Sequence, residues 1–268
     1  DPLAYFLAFA RLAPIQAVSY GHPVTSGIPN VDYFLSCTAA EPAVDSDARG
    51  AYSECLVPLG GLPFSYVRPP APEPAGTRAD FGLAEDATIY FLAQNLFKIH
   101  PDMDTALQLI LERDPQGIIL LLEGHDDAWG DVLRRRFAVT VGTCAARIKF
   151  LPRQSHDDFM RLLGLSDVSL DSFPFCGGNT TYQSLAMGTP VVTLPGRYLR
   201  GRVSLGIYRH MGMEELIAGD VTDYAEIAVR LGRDVEFRAG VRQKIAETCA
   251  VIFDDPVFLD DAERFLMT

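Results

Sequence analysis

Residues 167–196 read DVSLDSFPFCGGNTTYQSLAMGTPVVTLPG, and the order of residue types in this stretch decides the fold. DVSL is a short apolar run of the kind that forms a buried strand. The Gly177-Gly178 pair then turns the chain, a segment with helical spacing follows, and PVVTL forms a second strand. Strand, glycine turn, helix and strand is the unit with which α/β proteins hold a phosphate. At such a turn, free backbone N–H groups and the positive end of the helix dipole converge on one point.

The same alternation extends upstream. Strands are expected at TIYFLA (88–93), GIILLLE (117–123), RIKFLP (147–152), DVSLDS (167–172) and PVVTLP (190–195), separated by segments of helical period. Between the first two, Met103, Ala106, Leu107, Ile110 and Leu111 share one helical face. Apolar strands spaced by helices mean βαβ units, so the expected fold is α/β, a Rossmann-like parallel sheet with helices on both faces. Three zones result: 1–58, which mixes short apolar stretches with turns; 59–78, a Pro/Gly-rich linker; and 79–268, the regular α/β region with a helical tail. In the tail, Thr222 or Asp223 would cap one helix and Asp234 the next.

Composition limits the function classes. The 268 residues carry a net charge of −12, which disfavours nucleic-acid binding through clustered Lys and Arg. The longest apolar runs stop short of the ~20 residues that a membrane helix needs. The five cysteines are odd in number, widely spaced and without a CxxC, which fits reduced thiols in a cytoplasmic protein. The opening DPLAYFLAFARLAP has no basic leader, which argues against a signal peptide and for a chain cut from a longer one.

Ligands of parallel sheets bind at the carboxyl ends of the strands. Those ends carry Gln94 to Lys98, Gly124-His125, Arg153 to His156 and Phe173 to Thr181. The turn Gly177-Gly178-Asn179-Thr180-Thr181 lacks the spacing and lysine of a P-loop, and no GxGxxG follows the first strand. Its glycines suit a phosphate site, and equally a tight turn with Asn179 or Thr180 as N-cap. Lys98 suits either a solvated surface or a point charge beside a leaving phosphate, with Gln94 and Asn95 as neighbouring donors. His22, in SYGHPVTSG, is presented by a Gly-His-Pro turn. His156 fits a helix start or a nucleotide pocket, whereas His100, His125 and His210 read as structural. No ligand spacing calls for a metal.

Taken together, PIQAVSYGHPVTSG (14–27), VDYFLS, YSECLVPL, LFKIHP, RIKFLP, LDSFPF, GGNTT, MGTPVVTLPG, RGRVS and MGMEELI resemble glycosyltransferase family 41. That family contains the protein O-GlcNAc transferases, the SPINDLY-type proteins and bacterial adhesin N-glycosyltransferases. The GHP form and Asn179 look closer to its bacterial members. The resemblance implies a GT-B arrangement, of which this chain would hold the end of the first lobe and the whole second lobe. It implies inverting, metal-independent transfer of GlcNAc or glucose from a UDP-sugar to a protein side chain, with no cofactor beyond that donor. A helical-repeat region would lie upstream. On the matching positions, Lys98 contacts the diphosphate beside Asn95, and His156 belongs to the nucleotide pocket. Gly178, Asn179 and Thr180 bind phosphate and ribose, and Gly21, His22 and Pro23 face the sugar. His22 is the visible candidate base. Gln183 stands where relatives place an acid for the ribose hydroxyls, losing a charge-assisted bond worth roughly 1 kcal/mol. A degenerate lobe serving as a binding module, or a glycan or lipid acceptor, are the alternative readings.

Overall fold

The computed structural model describes residues 2–42 and 49–267. After a short helix, α1 (Pro2–Leu7), three strands form a parallel sheet in the order β1-β2-β3: Ala17–Ser19, Tyr33–Cys37 and Cys55–Leu59. The second sheet contains β4 (Thr88–Phe91), β5 (Gly117–Leu122), β6 (Ile148–Leu151), β7 (Val168–Leu170) and β8 (Val191–Val192). All five strands are parallel, in the order β6-β5-β4-β7-β8. Each falls within the segment expected from the apolar runs.

Strand alternation sends β4 side chains to two cores. Ile89 and Phe91 face α4 (His156–Leu165), through Met160, Leu162 and Leu163. Tyr90 and Leu92 face the opposite layer, containing α2 (Asp102–Arg113) and α7 (Val221–Arg233). The five residues expected on one face of α2 are all fully buried. Helices therefore cover both faces. On the second face α7 approaches the sheet closely, because a Cβ at Gly232 would collide with the Tyr90 hydroxyl. That hydroxyl is held in place by donating to Asp114 Oδ2 at 2.8 Å.

One cap of the helical tail differs from the expectation. Helix α7 begins one turn earlier and is capped by Asp220, whose side chain accepts from Asp223 N; the earlier acid wins because the apolar face already starts at Val221. Asp234 does cap the next helix, α8 (Val235–Thr248). The remaining helices are α3 (Asp127–Thr140), α5 (Asn179–Ala186), α6 (Val203–Met211) and α9 (Val257–Leu266).

The Pro/Gly-rich segment after β3 has no regular structure up to a 3-10 turn at Arg78–Phe81, yet it is packed along part of its length. Leu62 is buried, Phe64 meets Tyr20 edge-on at 4.6 Å, and Tyr66 stacks on Tyr182 of α5 at 4.5 Å. The last helix does not stay with the second sheet. Phe258 and Phe265 of α9 join Tyr33, Leu35, Val57 and Leu59 of the first, and Asp261 Oδ2 accepts from Gly60 N at 2.8 Å. Among the described residues, no helix is long and apolar enough to cross a membrane, and all five cysteines are free thiols.

Candidate functional site

The order β6-β5-β4-β7-β8 contains one switch point, between β4 and β7, where connections leave in opposite directions and open a crevice at the carboxyl edge. The loops after these two strands therefore meet. The β4 loop carries Gln94 to Lys98, and the β7 loop carries Asp171 to Gly178.

Asp171 shapes the second loop. It is buried at the end of β7, where Oδ1 accepts from Gly177 N at 2.6 Å and Oδ2 from the Thr193 hydroxyl at 2.8 Å. Burial raises its carboxyl above the usual carboxylate range, against the opposing pull of these donors and of the Ser204 hydroxyl. Gly177 is required at its position by space, because a Cβ there would meet Thr180 Oγ1 at 2.6 Å and Gln94 Nε2 at 2.7 Å. Cys176, whose Sγ accepts from Val203 N at 3.2 Å, is pushed up to about 12 by burial. It is a neutral packing group.

Helix α5 starts at Asn179 with Gly178 as its N-cap, so neither Asn179 nor Thr180 caps it. The reason is a tertiary contact. Thr180 Oγ1 instead accepts from Gln94 Nε2 at 2.7 Å, tying the two loops together across the switch point. Gln94 thus positions Thr180. With glycine as the cap, no side chain closes the helix end, and among the described residues the amides of Gly178, Asn179 and Thr180 meet no protein acceptor. They are the orphan donors that a phosphate satisfies.

Lys98 is half-buried beside this end. Its Nζ lies 3.5 Å from the Cys176 carbonyl and 4.4 Å from the centre of the Phe175 ring. Burial pulls the ammonium below its ordinary range, and the Asp171 carboxylate opposes that pull. Among the described residues no carboxylate lies within ion-pair distance of it. A desolvated cation without a close counter-ion, next to unpaired amides, is an arrangement that gains from an incoming anion.

One cleft of about 930 Å³ collects these groups. Gln94, Asn95, Lys98, His156, Gly177, Gly178, Asn179 and Thr180 line it from the second sheet, and Gly21 and Pro23 from the loop after β1. Three expected residues lie elsewhere. Thr181 is buried, with Oγ1 2.8 Å from Ser204 Oγ. Gln183 is half-buried farther along α5, and the His22 ring is exposed, off the described cleft wall. Conversely His125, read as structural, lines the cleft, its Nδ1 3.2 Å from Arg153 Nη1. Asp171 was also missed as a site residue. Its signal was an acid at the end of an apolar strand, six residues before the glycine it holds.

Carboxyl ends of two parallel sheets contributing to one cleft are the GT-B arrangement, and solved structures of that class share it. WaaG, a glycosyltransferase involved in lipopolysaccharide biosynthesis, matches over 90% of this chain and 64% of its own, with a TM-score of 0.59 at 10% identity, a likeness of fold alone. The chain belongs to glycosyl transferase family 41, whose family model matches residues 69–258. A mutant O-GlcNAc transferase of Thermobaculum terrenum superposes over 97% of this chain and 50% of its own, with a TM-score of 0.83 at 26% identity. The probable UDP-N-acetylglucosamine–peptide N-acetylglucosaminyltransferase SPINDLY of Solanum lycopersicum is 30% identical over 88% of this chain and 25% of its own length. The UDP-N-acetylglucosamine–peptide N-acetylglucosaminyltransferase of Caenorhabditis elegans is 34% identical over 71% and 16% respectively. The chain thus spans about a quarter or less of these curated relatives.

Proposed function

We propose that this chain forms the donor-binding part of an inverting, metal-independent glycosyltransferase that moves GlcNAc or glucose from a UDP-sugar to a protein side chain. One observation carries the reading: Lys98 and the uncapped N-terminus of α5 converge at the switch point. The activities by which the relatives are named support the choice of donor and acceptor.

In this mechanism the acceptor attacks the anomeric carbon, the sugar–phosphate bond breaks, and the diphosphate leaves with the electron pair. Lys98 and the amides of Gly178, Asn179 and Thr180 stabilise its growing charge. His156, at the first turn of α4 on the cleft wall, flanks the nucleotide. The acceptor proton goes to a base. His22 has that role here only if its loop turns toward the cleft, since its ring faces solvent. We place the reaction in the cytoplasm, where unpaired thiols persist.

Calorimetric titration with UDP tests the reading: no binding at about 1 mM would sink it. With binding established, Lys98→Ala is expected to weaken UDP about tenfold or more and uridine little. The second reading, a binding module without turnover, is favoured by Gln183 in place of an acid. Incubating a labelled UDP-sugar with lysate protein separates the two, because label retained in protein supports transfer.

A further inference from the structure

The wall that the first sheet gives the main cleft holds a polar group that the fold leaves unused. Tyr20 follows β1 and is 5% exposed, and with Gly21, Pro23 and Phe64 it lines the cleft. Its ring stands edge-on to Phe64 with centres 4.6 Å apart, so packing fixes the side chain.

Among the described residues the Tyr20 hydroxyl bonds to no protein group. Five side-chain atoms are both closed off from solvent and without a partner, and the Tyr20 oxygen is not one of them. This hydroxyl therefore still opens outward, and the opening that Tyr20 lines is the cleft. The other buried tyrosines differ. Tyr90, Tyr208 and Tyr224 bond their hydroxyls to Asp114, Val191 and Asp171, and Tyr182 lies off the cleft wall. A phenol buried to this degree ordinarily has a partner, so the position calls for one from a ligand.

The surroundings narrow the partner's chemistry. Burial holds the Tyr20 proton well above the ordinary phenol range. The groups that act on it, the Cys176 and Cys37 thiols and the Tyr182 hydroxyl, are raised by burial as well. All four keep their protons, so nothing here calls for a charged partner. A phenol donates one hydrogen bond and accepts another, which matches an alcohol. Position narrows it further. Cys176, first among those neighbours, has its carbonyl 3.5 Å from Lys98 Nζ, so Tyr20 faces the phosphate end from the other sheet. A sugar on the terminal phosphate fills the space between these walls.

We infer that the Tyr20 hydroxyl bonds a hydroxyl of the transferred sugar, which makes Tyr20 a specificity-determining residue of the donor site. The inference rests on the transferase reading, which supplies the sugar. A donor lacking that hydroxyl would leave the phenol unpaired in a nearly closed place, the condition under which polar sites discriminate most strongly.

Calorimetry on the full chain tests this with UDP, UDP-glucose and UDP-N-acetylglucosamine, in the parent and in Tyr20→Phe. The variant keeps the ring on Phe64 and loses only a hydroxyl that no protein group uses. It is expected to weaken the tighter-binding UDP-sugar about fivefold and to leave UDP within about twofold. Among deoxy analogues of that UDP-sugar, one should bind the parent about fivefold more weakly and lose nothing further in Tyr20→Phe, the coupling that a direct bond produces. Unchanged binding of the UDP-sugar by Tyr20→Phe, or deoxy losses that are the same in parent and variant, overturns the assignment. Equal weakening of UDP and UDP-sugar puts the hydroxyl on the phosphates and overturns it too. A parent that binds no UDP overturns the transferase reading and this assignment with it, whereas UDP binding without a sugar effect overturns this assignment alone.

Discussion

The loops after β7 and after β1 line the same cleft, yet they are held in different ways. After β7, a buried carboxylate fixes the turn through Gly177 N and the Thr193 hydroxyl, and Gln94 fixes Thr180 from the neighbouring loop. After β1, Glu54 gathers Thr25 and Ser26, while His22 and its ring stay in solvent. Groups that must meet a fixed diphosphate need preorganisation. The Glu54 bonds of the β1 loop lie beyond its cleft-lining residues, which are otherwise held by the packing of Tyr20 on Phe64. On the proposed reading, the donor is held by the second sheet.

The most damaging change to that arrangement is Asp171→Ala, which orphans Gly177 N and the Thr193 hydroxyl inside the core. A loss of about 3 kcal/mol in unfolding free energy is expected, with UDP binding lost as well. Denaturant melts read the first and calorimetry the second, and a variant as stable as the parent would show that the turn holds itself.

Next comes pH. Lys98 must be charged to hold a diphosphate, and burial pulls its proton affinity below the ordinary value of 10.5. The charge is present below the folded-state pKa and lost above it. The preference for UDP over uridine should therefore fall as pH rises, starting below the range of an exposed lysine, to about one tenth or less on the alkaline side. Titrations along a pH series in the Lys98→Arg variant sharpen the point, since its preference should stay flat over the same range.

Gly178→Ser probes the open helix end more gently. A Cβ there has room, its nearest neighbour being Val203 Cγ1 at 4.0 Å. The new hydroxyl would cap α5, adding about 0.5 kcal/mol of stability while competing with phosphate and weakening UDP a few-fold. A rise in stability with unchanged UDP affinity would place the phosphate elsewhere. The smallest effect is expected of His22→Ala, with UDP affinity within about twofold of the parent; a larger loss would break the contrast between the two loops.

Much of this was legible in the sequence because it rests on local pattern. Parallel strands buried on both sides read as apolar runs, and the face of α2 reads as a 3.6-residue period. The site was legible where backbone chemistry defines it, at Gly177-Gly178 and at the strand ends. It was opaque where two distant segments decide the outcome. Thr180 looked like a cap because sequence does not reveal that Gln94, 86 residues away, takes its hydroxyl. Asp171 was hidden because its value comes from Thr193 and Ser204, which only the folded sheet brings near. His22 looked outward-facing from its Gly-His-Pro turn, and it is, but the direction of the turn relative to the cleft is a tertiary fact.

The return of α9 to the first sheet bears on how the cleft can move. The chain passes between the sheets twice, once through Leu62 to Tyr66 and once through Phe253 to Asp255, and the two passages are bonded, Asp254 N donating to the Tyr66 carbonyl at 3.0 Å. Beside them, Arg202 Nε donates to the Ala40 carbonyl at 2.7 Å, and Phe34, Cys37 and Ala40 share one apolar core with Val203 and Ile207 of α6. The two sheets are therefore braced by two joined passages and a common core, and parting them would expose apolar surface to water.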